Sequence, residues 1–133
     1  MDEFDVLVGE WSIEAFGEVG GRVTFEWLEG RRFLVQRWTV DVPEAPDGIA
    51  VIGPTVAGDG IAQHYFDSRG IARVYGTSLE SGVWRLWRDG PDFAQRFAGR
   101  LGEDRDTIEG AWEKAMDGST WEHDFAMTYR RAG

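Results

Sequence analysis

The chain of 133 residues contains no cysteine, which removes disulfides, thiolate zinc sites and cysteine nucleophiles together. Lysine occurs once, at Lys114, so Schiff-base chemistry has a single candidate, at a position read as surface. The two histidines, His64 and His123, form no His-x-x-x-His or Glu-x-x-His pair, and no metal site is expected. Gly17 to Gly21 lacks Rossmann spacing, no serine sits in a nucleophile elbow, and Asp104, Asp106 and Glu109 lack the EF-hand ligand pattern. No apolar run approaches the ~20 residues of a membrane helix. The opening Met1-Asp2-Glu3-Phe4-Asp5 is acidic where a signal peptide is basic, so a soluble cytoplasmic protein is expected.

Charge of one sign prevails. The formal net charge is -10 and the isoelectric point is near 4.6, so nucleic acid and anionic membranes are not expected as partners. Acidity concentrates at the start, where residues 1 to 30 carry eight acids against one arginine. Aromatic residues make up 14% of the chain, more bulky rings than a minimal core needs, which favours strands and a ring-lined interior.

The clearest stretch runs from Ile61 to Asp89. It reads as three short strands joined by tight turns at Asp67-Ser68-Arg69-Gly70 and Glu80-Ser81-Gly82. Connections this short require antiparallel neighbours. Similar turn signals recur about every ten residues, from an alternating strand opening at Gly9 to one over Trp121 to Tyr129. The pattern predicts a single all-β domain over residues 1–133. It would be an antiparallel up-and-down barrel of about ten strands, preceded by a short helical turn with Asp2 as its cap and Phe4, Leu7 and Val8 on one side. The segment 43–60 holds three of the four prolines around the apolar run Ile49 to Ile52. It reads as loop, short strand and loop, the natural place for an entrance.

Alternation also nominates a site. On the last strand Trp121, His123, Phe125, Met127 and Tyr129 share one face, which places His123 inside as a catalytic acid or base, a hydrogen-bonding group or a metal or haem ligand. The alternative is a core histidine satisfied by a neighbour. His64 falls on the outer face. The meander directs Gln63, Tyr65, Arg73, Tyr75 and Thr77 to one side, where an arginine and two phenols would hold a carboxylate or carbonyl. Alternatively Arg73 is an internal charge satisfied by Asp67 or Gln95. Gln95, Phe97 and Trp112 complete the lining, with Trp11 and Trp27. Strand 32–42 has two mixed faces, so its orientation stays open.

Gly9-Glu10-Trp11 after a short N-terminal turn resembles the Gly-x-Trp start of lipocalin-like calycin barrels. Tyr65 to Gly70, Arg73-Val74-Tyr75, Trp84 to Arg88 and Trp121 to Phe125 are similar to a family of small bacterial barrels of this type, over nearly the whole chain. That resemblance implies the fold, the function of the family being largely unknown. It also implies a carboxylate and a larger apolar residue at the positions of Gly76 and Thr77, and an acid at Ala126, where this chain departs from the pattern. A more distant likeness to haem-binding nitrobindin barrels rests on Trp11, without the glycines that follow it there.

The expected function is binding of a small, mainly apolar molecule with a polar or carboxylate group, by a monomer or homodimer that needs no cofactor. The alternative is a cofactor-free enzyme in the same cavity, performing proton transfer, isomerisation or cyclisation with His123 or a tyrosine as acid or base. A filled barrel acting through its acidic surface is the third reading.

Overall fold

The computed structural model describes residues 1–42 and 45–132. A 3-10 helix over Asp2–Leu7 is followed by ten strands: β1 Gly9–Ala15, β2 Glu18–Trp27, β3 Leu34–Val40, β4 Gly48–Pro54, β5 Ile61–Asp67, β6 Ala72–Glu80, β7 Val83–Arg88, β8 Ala94–Leu101, β9 Thr107–Ala115 and β10 Glu122–Arg131. Each pairs antiparallel with its sequence neighbours, and β10 closes on β1, so the sheet is a barrel without free edges. The expected architecture is the observed one. At the N-terminal turn the cap is Met1, with Asp2 already inside the helix.

Chain direction sorts the connections into two ends. Residues 16–17, 41–42, 45–47, 68–71, 89–93 and 116–121 gather at one end, and 28–33, 55–60, 81–82 and 102–106 at the other. The second end is closed. Phe4 and Leu7 of the 3-10 helix are fully buried beneath the barrel, and the Trp11 indole donates to the Leu7 carbonyl at 2.8 Å. Arg131 fastens this plug to the last strand. Its guanidinium donates to the carbonyls of Val6, Val8 and Arg105 and lies 4.1 Å from the Trp11 ring centroid.

Above the plug the inward residues of neighbouring strands fill the lower half. Trp84 is the pivot, meeting Phe25, Phe97 and Tyr129 edge to face with centroids 5.5 to 5.8 Å apart. Its indole donates to the Thr77 hydroxyl at 3.2 Å, and that hydroxyl donates to the Arg85 carbonyl. The Phe97 ring lies across the paired glycines Gly99 and Gly110, where a Cβ would stand 2.7 to 2.9 Å from its carbons. The orientation left open for the third strand is now fixed. Leu34, Gln36, Trp38 and Val40 form its inner face, matching Phe25 and Val23 across β2.

The strand and following loop expected within segment 43–60 are present, but only its first part meets the entrance. Its middle is the full strand β4, and 55–60 turns at the plugged end. Pro43 and Glu44 lie outside the described residues.

Candidate functional site

The lower half is filled by rings, but the upper half is not. A cavity of about 630 Å³ opens at the end away from the plug. Ala15, Phe16, Val42, Ala45 and Pro46 form part of its rim, and Trp84 and Leu86 are among the residues beneath. This volume lies within the range of sites for small organic ligands.

The walls are aromatic, and their rings are held in place. Trp38 on β3 stacks on Tyr65 on β5 at 5.4 Å, and its indole donates to the Pro46 carbonyl at 3.0 Å. Tyr65 meets Tyr75 edge to face, and Tyr75 meets Trp112 in the same manner. On the opposite wall Phe125 stacks on Phe16 at 5.2 Å. Phe16 is 81% exposed and has φ of 55°, so it stands as an apolar post at the β1–β2 turn.

Several of the polar groups in the lining are tied by hydrogen bonds. The Tyr65 hydroxyl donates to Asp67 at 2.6 Å, and burial, reinforced by that carboxylate, pushes the phenol up to about 12. The Asp67 carboxylate also receives the Arg69 guanidinium at 2.7 Å and the backbone N–H groups of Arg69 and Ile71. The Arg69 guanidinium, joined by these other donors, holds its acid well below the usual carboxylate range. Tyr75 donates to Gln95 at 2.8 Å and is pushed up chiefly by burial. Burial alone raises Tyr129.

Arg73 lines the cavity mouth with its guanidinium carbon 5.7 Å from the Phe93 ring centroid. Asp67 is engaged by Arg69 and Tyr65, and Gln95 by Tyr75, so neither of the partners foreseen for Arg73 serves it. Among the described residues Arg73 makes no ion pair.

Of the residues nominated by alternation, Gln63, Tyr65, Arg73, Tyr75, Gln95, Trp112, Phe125, Met127 and Tyr129 come together in this lining. Thr77 and Phe97 point inward but lie in the packed lower half, where Thr77 serves Trp84 and Phe97 caps the two glycines.

His123 and Trp121 are corrections. His123 pairs with Glu113 and Phe125 with the adjacent Trp112, so β10 spends two residues where β9 spends one. This bulge reverses alternation at Asp124. Phe125, Met127 and Tyr129 keep the inner face, while His123 is exposed and absent from the cavity wall. Trp121 precedes the strand and packs its ring against the outer Arg96 guanidinium at 3.9 Å. His64 is exposed, on the outer face assigned to it. The cavity therefore presents no imidazole, and its residues do not fit haem ligation by histidine.

Gln36, Trp38 and Arg69 were not foreseen. Gln36 and Trp38 were hidden by the mixed faces of their strand. Arg69 sits in a turn, where alternation carries no information.

No family model matches the chain, and no curated protein matches it. Among solved structures the chain is similar to Rv2717c from M. tuberculosis, known from its crystal structure. The likeness has a TM-score of 0.63 and covers 99% of this chain and 96% of that one, at 16% sequence identity. At this identity the likeness shows the shared fold.

Proposed function

We propose that the protein binds a small, mainly apolar molecule carrying a carboxylate or similar polar group. The observation that carries this reading is an open, ring-walled cavity of about 630 Å³ with an arginine at its mouth that pairs with no acid among the described residues. The ligand body lies between Trp38, Tyr65 and Trp112, where aromatic faces exclude water. Its anionic end meets Arg73, whose planar donor fork suits a carboxylate. In a chain of net charge -10, a guanidinium without a carboxylate partner among the described residues serves as a recognition element for an anion.

Binding is favoured over proton transfer in the same cavity by the titration of its phenols. Burial holds Tyr65, Tyr75 and Tyr129 neutral well above neutral pH, which makes them hydrogen-bond donors and poor bases. The imidazole that would have served as the base is on the outer face.

Isothermal titration with 2-naphthoate tests the reading. Saturable one-to-one binding is expected, and Arg73→Met should weaken it about tenfold, the worth of one charge-assisted contact. Absence of binding, or an unchanged affinity in Arg73→Met, contradicts the assignment.

A further inference from the structure

The cavity wall holds two amides whose side-chain oxygens have no hydrogen-bond partner among the described residues. Gln36 and Gln63 stand at inward positions of β3 and β5, on either side of β4, whose inward residues there are Ala50 and Ile52. They are only 6% and 5% exposed, both line the cavity, and the side-chain oxygen of each is buried without a hydrogen-bond partner. Gln95, a third glutamine of the same lining, is by contrast engaged by Tyr75.

An unpaired buried amide destabilises a fold, and an apolar side chain of similar shape would remove that cost. Ala50 and Ile52 offer no side-chain donor between the two. The last torsion of a glutamine is broad and roughly two-fold, so each amide can turn either its oxygen or its NH2 group toward a guest. Gln63 pairs across the sheet with Tyr75, and Arg73 with Tyr65. Gln63 therefore lies one inward layer deeper than Arg73.

The geometry points to a second recognition element on β3 and β5, in which Gln36 and Gln63 bind a neutral hydrogen-bonding group, a hydroxyl or amide, on the end of the ligand remote from its anion. This rests on the binding reading above and narrows it. The ligand class is a bipolar aromatic acid, with its anion at Arg73, its ring body between Trp38 and Trp112, and its neutral polar group at the glutamines. A purely hydrocarbon tail would leave both amides unsatisfied and forfeit the selectivity that such groups confer.

The test compares 2-naphthoate with 6-hydroxy-2-naphthoate by isothermal titration on the full chain. The hydroxyl should strengthen binding to the wild type about tenfold. In the double variant Gln36→Leu/Gln63→Leu that advantage should fall to within about twofold, while 2-naphthoate still binds and the thermal midpoint of the unliganded protein rises. If the leucine pair impairs folding, Gln36→Met/Gln63→Met makes the same comparison with a closer match of shape.

Equal affinity of the two acids for the wild type, or a hydroxyl advantage that survives in the double variant, overturns the amide subsite and leaves the binding reading standing. Failure of both acids to bind removes the binding reading and the subsite with it.

Discussion

Trp38 lies stacked on Tyr65, with ring centroids 5.4 Å apart and planes inclined by 27°. The contact depends on Gly48, the cross-strand partner of Trp38, because a Cβ there would clash with the indole and with the Phe66 carbonyl. Glycine at this position is thus a packing device: the missing side chain lets an aromatic wall lie flat against the sheet. The same device recurs on the outer surface, where the Trp87 ring covers its partner Gly76.

Gly48→Val should therefore displace Trp38 and cost about 1–3 kcal/mol, the usual range for overpacking. Urea denaturation measures the loss, and the intrinsic tryptophan emission should shift as the indole leaves its stack. An unchanged midpoint and spectrum would contradict the assigned packing.

His123→Ala should leave 2-naphthoate affinity within about twofold of wild type, because a change on the far side of the barrel wall removes no contact to a guest. Titration beside Arg73→Met provides the contrast. A loss in His123→Ala matching that of Arg73→Met would place the imidazole in the cavity after all.

The barrel and most of its lining were legible because period-two alternation is reliable wherever one face is buried and the other is wet. That rule oriented β1, β5, β6, β8 and β9, and the lower part of β10. It failed at Asp124, where a single extra residue reverses the faces and carries His123 and Trp121 outside. A bulge leaves no mark in the pattern of residue types when apolar side chains stand on both sides of it. On β3 the rule gave no answer, since the inner face contains Gln36 and the outer face Val35. A polar side chain inside the barrel blurs the periodicity.

All three tyrosines of the chain line the cavity and are held neutral beyond their ordinary range, chiefly by burial. An acid whose folded pKa is raised binds its proton longer in the fold than in the unfolded chain. Its contribution is fully present below about pH 10 and is lost as pH rises through the window between the unfolded and folded values. For fully buried Tyr129 the slope in that window is about 1.4 kcal/mol per pH unit. Absorbance at 295 nm should accordingly show no tyrosinate near pH 10, and its appearance should coincide with unfolding followed by circular dichroism. Ordinary titration near pH 10 with the barrel intact would contradict the burial of these phenols.

On the proposed reading an apolar anion enters the barrel rather than adhering to its surface. The outer sheet offers a competing site, since Ile49, Phe66, Val74 and Trp87 are exposed on neighbouring strands. The most direct measurement is the fluorescence titration of anilinonaphthalene sulfonate against wild type and Ala15→Trp, a variant that fills the mouth from an inward position of β1. One saturable site is expected on the wild type, abolished in Ala15→Trp while circular dichroism shows the barrel retained. Equal binding by the two proteins would place the dye on the outer sheet and contradict a ligand-binding cavity.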